Sequence, residues 1–464
     1  MRVSSLILIL FLITTIGFTQ TNDKSTLTLS EYLSWVLQDH PESKNAQLLQ
    51  EAGDAQWMQA KGLLDPVLSS KWKDKFYDGQ SYYQRSETQL AFQSPYALGL
   101  VAQWDVNSGE YLDPEAYTGK DGLMALGINL PLLQGLMFDE TRLALRRSEQ
   151  IQAMSVLEKQ MALNELLFQS TMLYLDWYIA EERVLLQKEF MDAANIRLGA
   201  VRSRFLVGDR PAIDTLEAFA QWQTRNIAWQ EAQLFSIKSR LAMTAFLPEL
   251  NEKKNILALS VRPERSLEGI IPEYSLTMDM QTWLMAHPMV QWYQSKTKIL
   301  DWEEKWKREK LKPKLDIEYH ALNKELVTNG ADFSVQNYRW GVQFAFPLFI
   351  RDARGQLQLQ RIKQLENEND LNLKTNSLAQ KARSLEQQER IVRDQQRRAE
   401  TNAAYYEQLW NAELQRLDLG ESSVFMVNLR ENTWIDQRIK ALEYEQKLIR
   451  TKAEICQLLF KPYF

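Results

Sequence analysis

Two periodicities alternate along this chain. After Pro313, residues Leu315, Ile317, Tyr319 and Ala321 share one side of a period-two pattern, with Asp316, Glu318 and His320 on the other. Beyond a polar stretch around Asn329-Gly330 the pattern returns. Tyr338, Trp340, Val342, Phe344 and Phe346 then face away from Arg339, Gly341, Gln343 and Ala345. Alternation with one apolar face predicts half-buried strands. Each run is close to the roughly 9–11 residues with which a tilted strand crosses a bilayer. In a membrane barrel the apolar face would meet lipid and the polar face a wet lumen. In a soluble sandwich the same face would meet a core.

A longer strand region lies earlier, between Pro66 and Pro131. Leu68, Ser70, Trp72 and Phe76 alternate with Lys71, Lys73 and Lys75 at its start. Met124, Leu126, Ile128 and Leu130 alternate with Ala125, Gly127 and Asn129 at its end. Between them lies an extra hairpin candidate. Thr88, Leu90 and Phe92 oppose Gln89, Ala91 and Gln93; Leu98, Leu100, Ala102, Trp104 and Val106 oppose Gly99, Gln103 and Asp105. Ser94-Pro95-Tyr96 supplies a turn between the two runs. The pattern leaves open whether this pair joins a barrel or folds as an outside loop.

Each strand region is followed by a very long stretch of helix formers. Phe138 to Val207 contains no proline and one glycine, Gly199; Gln356 to Leu419 contains neither. At about 1.5 Å per residue each predicts a helix of roughly 100 Å, far beyond the usual globular length. The helices that return carry heptad seams. One runs Ile213, Leu216, Ala220, Gln223, Ile227, Gln230, Leu234, Ile237, Leu241; the other runs Ile435, Ile439, Leu442, Gln446, Ile449, Ala453, Cys456, Phe460.

The whole order is written twice. His40-Pro41 returns as His287-Pro288, Leu130-Pro131-Leu132 as Phe346-Pro347-Leu348, and Phe205-Leu206-Val207-Gly208-Asp209 as Leu417-Asp418-Leu419-Gly420-Glu421. An internal duplication constrains the fold more than any single motif. The expected organisation is a signal peptide over 1–19 and a first repeat over 20–247. Within that repeat the strand region is about 66–131 and the helical hairpin about 136–247. A linker over 248–275 precedes a second repeat over 276–464, with strands about 313–347 and a hairpin about 352–462. Neither repeat has strands enough to close a barrel alone.

Composition narrows the class. The 464 residues carry 60 acidic and 55 basic side chains, so nothing suggests a nucleic-acid partner. Arg2 before the apolar run Leu6 to Ile13, with polar residues from Gln20, reads as a secretory signal. Cys456 is the only cysteine and sits on a heptad seam, as a buried inert thiol would. No other stretch is apolar enough for a transmembrane helix, which leaves a secreted soluble protein or a β-barrel. There are three histidines; His40 and His287 share one repeated place beside proline, which predicts a local turn role. No catalytic set, phosphate loop, metal spacing or cofactor motif is present in the sequence, so no enzyme is expected.

These motifs, in this order and in duplicate, resemble the TolC-like outer membrane factors, also called outer membrane efflux proteins. The resemblance rests on His40-Pro41 and His287-Pro288, on the strand-to-helix passages at Pro131 and Pro347, and on the turns at Val207-Gly208-Asp209 and Leu419-Gly420-Glu421. It implies a mixed fold of helices and transmembrane strands. A homotrimer would share one twelve-strand barrel, four strands per subunit, in the outer-membrane lipid, above a coiled-coil α-barrel crossing the periplasm. It further implies a passive exit channel for small molecules, metals or proteins. Such a channel docks on a periplasmic adaptor (a membrane fusion protein) that is itself bound to an inner-membrane pump. The competing reading is a periplasmic coiled-coil scaffold or adaptor without channel activity.

In that family the helix turns form the closed periplasmic end and receive the adaptor. Gly208 and Gly420 are placed to end a helix in the left-handed conformation. Asp209 and Glu421 are then expected to cap the next helix or favour its dipole. The resemblance also implies an acid about six residues past the turn glycine, lining the aperture. Asp214 matches this in the first repeat, and Met426 stands there in the second.

Overall fold

A computed structural model of the chain describes residues 26–118, 121–246, 261–264, 271, 279–323 and 336–461. The expected signal peptide and most of the expected linker lie outside the described residues.

The helical entry to each half is built the same way. Thr28 and Glu31 form a capping box that starts α1 (Leu29–Asp39). His40 ends α1 and caps α2 (Pro41–Lys61), its Nδ1 accepting from the Glu42 N–H at 3.1 Å. In the second half His287 lies between α5 (Met280–Ala286) and α6 (Pro288–Glu309), and its Nδ1 accepts from the Met289 N–H at 3.2 Å. Proline at the first helical position loses no hydrogen bond there. Each imidazole also lies against a phenylalanine from the end of its own half, His40 on Phe246 and His287 on Phe460. The repeated His-Pro pair is therefore a structural joint.

The strands form one antiparallel sheet: β2 (Val67–Tyr77), β3 (Gln80–Gln93), β4 (Gly99–Ser108), β5 (Leu123–Pro131), β7 (Lys314–Asn323) and β8 (Tyr338–Ala345), hydrogen-bonded in that order. A separate two-residue parallel pairing joins β1 (Thr26–Leu27) to β6 (Arg262–Pro263). The extra hairpin, β3 and β4, is inside the sheet. With it this sheet has six strands among the described residues, against the four implied by the family resemblance, because β3 and β4 hold β2 and β5 apart.

The sheet is inverted relative to a soluble protein. Ala125, Gly127 and His320 are buried on one face, while Leu126 and Ile128 on the other are exposed. A Cβ on Gly127 would lie 2.2 Å from His320 Nδ1, so the glycine makes room for the imidazole on the sheltered face. The exposed face continues through Leu68, Trp72, Leu90, Leu100, Trp104, Trp340, Val342 and Phe344.

Below the sheet run α3 (Glu140–Leu206) and α4 (Ala212–Ala245), then α7 (Arg351–Asp418) and α8 (Val424–Leu459). The lateral order is α4, α3, α8, α7; nearer the sheet it is α2, α3, α6, α7. The main core lies midway along α3, where Tyr174, Trp177 and Leu175 meet Tyr32, Leu33 and Val36 of α1 and Ala453 and Cys456 of α8. Burial raises the Cys456 thiol to about 11, which keeps it protonated and unreactive.

The two heptad seams have different fates. Ile435, Leu442, Ile449, Ala453 and Cys456 are buried within the chain. On α4 the buried residues are instead Ala218, Arg225, Ala232, Ser236, Arg240, Met243 and Thr244. The apolar seam Ile213, Leu216, Ile227, Leu234, Ile237 and Leu241 stays exposed. The reason is Glu181 on α3, 2% exposed, which accepts hydrogen bonds from Ser236, Arg240 and Arg262. A buried carboxylate with that many donors fixes which face of α4 turns inward.

Candidate functional site

The candidate site is the end of the helical body farthest from the sheet, where two helix-turn-helix tips lie side by side. Both tips have one backbone geometry. In the first, the Gly208 N–H bonds the Phe205 carbonyl at 3.0 Å and the Asp209 N–H bonds the Arg204 carbonyl at 2.9 Å, with Gly208 at φ 78°. In the second, the Gly420 N–H bonds Leu417 at 3.1 Å and the Glu421 N–H bonds Arg416 at 2.9 Å, with Gly420 at φ 80°. This paired hydrogen bonding closes a helix with a left-handed residue, which glycine adopts without steric cost.

The acids after the glycines do not cap the following helices. The residue before α4 is Pro211, which has no side-chain cap, and α8 is capped by Ser423, whose Oγ accepts from the Met426 N–H at 3.3 Å. Two further residues separate Glu421 from the helix start, so its carboxylate is too early in the chain to cap. Ser423 just before an apolar run carried the sequence signal for this cap. Asp209 and Glu421 are exposed at the turn, beside the exposed Val207 and Leu419.

Asp214 lies in the first turn of α4, half-buried and 3.6 Å from Arg210. The pairing with Arg210 was missed in the sequence, where the spacing of four along the chain was the available signal; the second contact of Arg210 had no local signal. Arg210 also reaches the Leu417 carbonyl at 3.4 Å and so ties the first tip to the second. Arg204 and Asp418 pair across the same gap at 3.3 Å, in an exposed position that contributes little stability.

Deeper in, Arg197 of α3 donates to both carboxylate oxygens of Glu431 on α8, at 2.8 and 2.9 Å, and to Asn428 Oδ1 at 3.0 Å. Asn428 donates to Glu217, and Arg225 of α4 bonds Asn432. Burial lowers the Arg225 guanidinium from its usual range, and Glu431 opposes that shift. Three helices are thereby joined by charge rather than by apolar packing alone. The residues are far apart in sequence, which hid the set.

Beside this network Leu198, Val201, Leu417, Val424 and Val427 form a small core under Trp222 and Trp410. A groove of about 310 Å³ opens next to it, between α3 and α7, walled by Ile196, Val201, Arg204, Arg210, Trp410 and Asp418. It is apolar at its floor and charged at its rim. At the opposite end of the helices, Pro131 ends β5, and Leu132 still bonds the Leu315 carbonyl at 2.7 Å. Arg142 then holds the passage into α3 by donating to the carbonyls of Gly135, Leu136 and Met137. Pro347 lies in the shorter passage from β8 to α7.

No family model and no curated protein sequence matches the chain. Solved structures do. The CmeC outer membrane channel of Campylobacter jejuni superposes with a TM-score of 0.67 over 95% of this chain and 86% of its own, at 14% identity. The open state of the MtrE outer membrane channel of Neisseria gonorrhoeae gives 0.66 over 93% and 89%, at 13% identity. The outer membrane protein VceC of Vibrio cholerae gives 0.66 over 94% and 97%, at 12% identity. The chain has the fold of the TolC-like outer-membrane channels.

Proposed function

We propose that the protein is the outer-membrane exit channel of a tripartite efflux or secretion system. Three copies form a passive duct, with the strands in the outer membrane and the helices in the periplasm. The observation that carries this reading is the inverted sheet. In the central strands Leu90, Leu100, Trp104, Leu126 and Ile128 are exposed on one face while Ala125, Gly127 and His320 are buried on the other, and the apolar face continues through Trp72, Trp340 and Phe344 of the edge strands, which the single chain exposes on both sides. In water that face costs roughly 25 cal/mol for each Å² left uncovered; in lipid it is the stable arrangement. A soluble scaffold gains nothing from it.

Closure follows from the edges. β2, α2 and α4 form one side of the subunit and β8 and α7 form the other, so every layer is open at the same two edges. Head-to-tail contact of unlike edges generates a ring. Within the ring the tips at Val207-Gly208-Asp209 and Leu419-Gly420-Glu421 form the periplasmic mouth and dock the adaptor, which is bound in turn to an inner-membrane pump. Asp214 borders the aperture. The duct moves small molecules, metals or proteins down a path opened by its partners, and performs no chemistry.

Membrane fractionation with planar-bilayer recording tests this. The expected result is a trimer in the outer-membrane fraction with low conductance that rises when the tips are loosened. A soluble, non-conducting protein overturns it.

A further inference from the structure

We infer that the transmembrane barrel of this protein has eighteen strands, six from each of three copies, with the β3–β4 hairpin embedded in lipid. The inference rests on the trimeric channel reading above and adds the composition of its membrane wall.

Three observations carry it. The first is pairing. β2 is hydrogen-bonded to β3 over its whole length, from Val67↔Ala91 to Tyr77↔Gln80, and β4 continues into β5 from Gly99↔Asn129 to Asp105↔Leu123. Among the described residues β2 is not hydrogen-bonded to β5, so the hairpin is a structural part of the sheet. A barrel of four strands per subunit would require those ladders to break.

The second is the face. One row of directly opposed residues runs Leu68, Leu90, Ala102, Leu126, Ala321, Tyr338 across all six strands. Another runs Phe92, Leu100, Ile128, Tyr319, Trp340. The hairpin thus places its apolar side chains on the same exposed face as its neighbours. Gln89, Gln103 and Asp105 lie on the opposite face with Asn129 and Glu318, where a lumen would be. A loop outside the membrane would not need this alternation.

The third is closure geometry. Six is even, so β2 and β8 run in opposite directions and the β8 edge of one copy meets the β2 edge of the next in antiparallel fashion. Leu68, near the start of β2, stands in register with Tyr338, the first residue of β8. Pairing the centres of these edges, Trp72 against Val342, therefore displaces each copy by about eight residues, or about 27 Å at about 3.4 Å each. Six strand spacings of about 4.8 Å span about 29 Å. The resulting tilt is about 43°, inside the roughly 35–45° of closed membrane barrels. Eighteen strands at that tilt give a diameter of about 38 Å, against about 25 Å for twelve, and leave an aqueous channel.

The test uses the full-length protein in lipid nanodiscs. Leu90→Cys and Ala102→Cys report the outer face by spin label, and Gln89→Cys and Gln103→Cys report the inner one; the native thiol, Cys456, is buried and stays unlabelled. Trp72→Cys with Val342→Cys reports the subunit junction. The expected result is an intersubunit disulfide ladder up to trimer. Labels at 90 and 102 should be relaxed several-fold more by oxygen than by an aqueous nickel chelate, with the reverse at 89 and 103. An intact, cross-linked trimer in which labels at 90 and 102 are reached mainly by the nickel chelate would overturn the eighteen-strand barrel and leave the channel reading standing. A monomer with no cross-link overturns both.

Discussion

Arg197 and Glu431 form a two-point ion pair between α3 and α8, 2.8 and 2.9 Å at its two contacts, with the carboxylate fully buried. Its partners extend to Asn428 on α8, and through Asn428 to Glu217 on α4. The pair therefore fixes the spacing of the two helical hairpins just above the tips. Removing one member leaves a buried charge without a partner, which costs about 3–5 kcal/mol. Arg197→Ala should destabilise the tip region by that order, read as faster amide exchange in α3 and α8 around residues 194–201 and 427–435. Glu431→Gln retains hydrogen bonding and should cost less. Equal exchange in wild type and Arg197→Ala would show that the pair does not hold the hairpins together.

The His-Pro joints should make the helical body acid-sensitive. His287 Nδ1 accepts a backbone N–H, so the neutral imidazole is required. Burial lowers His287 to about 4, with a hydrogen bond to the Leu458 backbone opposing the shift; burial lowers His40 in the same direction, opposed by Glu42. The unfolded chain takes up the proton near 6.5 and the folded chain only near 4. Stability present above about pH 6.5 is therefore lost progressively toward pH 4, by roughly 3 kcal/mol for His287. Asparagine, a good cap without a titratable ring, should remove the pH dependence: His287→Asn would flatten the melting temperature between pH 7 and pH 4.5. An unchanged slope in His287→Asn would exclude this joint as its source.

Asp214 does not stand alone, and this changes what its removal does. With Arg210 at 3.6 Å and Arg210 also on the Leu417 carbonyl, the aspartate orients the residue that ties one tip to the other. Asp214→Ala should raise single-channel conductance in planar bilayers, and Arg210→Ala should raise it more, because it removes both contacts. Ion selectivity should shift with Asp214→Ala, which deletes three carboxylates near the axis of a trimer, and not with a neutral change at Met426. A closed channel in both Asp214→Ala and Arg210→Ala would remove these residues from the gate.

The large elements were legible because their signals are local. Strand alternation at Leu315–Ala321 and Tyr338–Phe346, the proline-free runs, and the glycines at 208 and 420 all act through the residue itself or its near neighbours. Pairing was not legible. Nothing local at Leu90 or Trp104 says that β3 lies beside β2 and β4 beside β5, since register is decided between strands. The tip network was hidden for the same reason: Arg197 and Glu431 are each one more charged residue on a helix surface until α3 and α8 are brought together. The expectation that Asp209 and Glu421 cap the next helices failed by two residues. The left-handed glycine is followed by two bend residues, and the cap position falls at Pro211 and Ser423.

The exposed heptad seam of α4 bears on how many copies come together. Ile213, Leu216, Ile227, Leu234, Ile237 and Leu241 are 64, 64, 55, 54, 45 and 49% exposed in the single chain, which is too continuous a stripe for a helix facing water. The other open helix, α7, exposes Leu359, Ile362, Leu365, Leu373, Ile391 and Leu409. Since α4 and α7 form opposite edges of the helical layer, the proposed ring would bring the α4 stripe of one copy onto the α7 stripe of the next. Each side chain so covered contributes about 1.5–3 kcal/mol, and each interface repeats three times in a trimer. Ile227→Asp and Leu234→Asp should therefore convert the detergent-solubilised trimer to monomer, measured by light scattering. Helicity by circular dichroism should be retained, because neither side chain touches the chain's own core. Gln223→Asp, on the same seam but already polar, should leave the trimer intact. Trimers that survive both aspartates would place the subunit contact on some other face of α4.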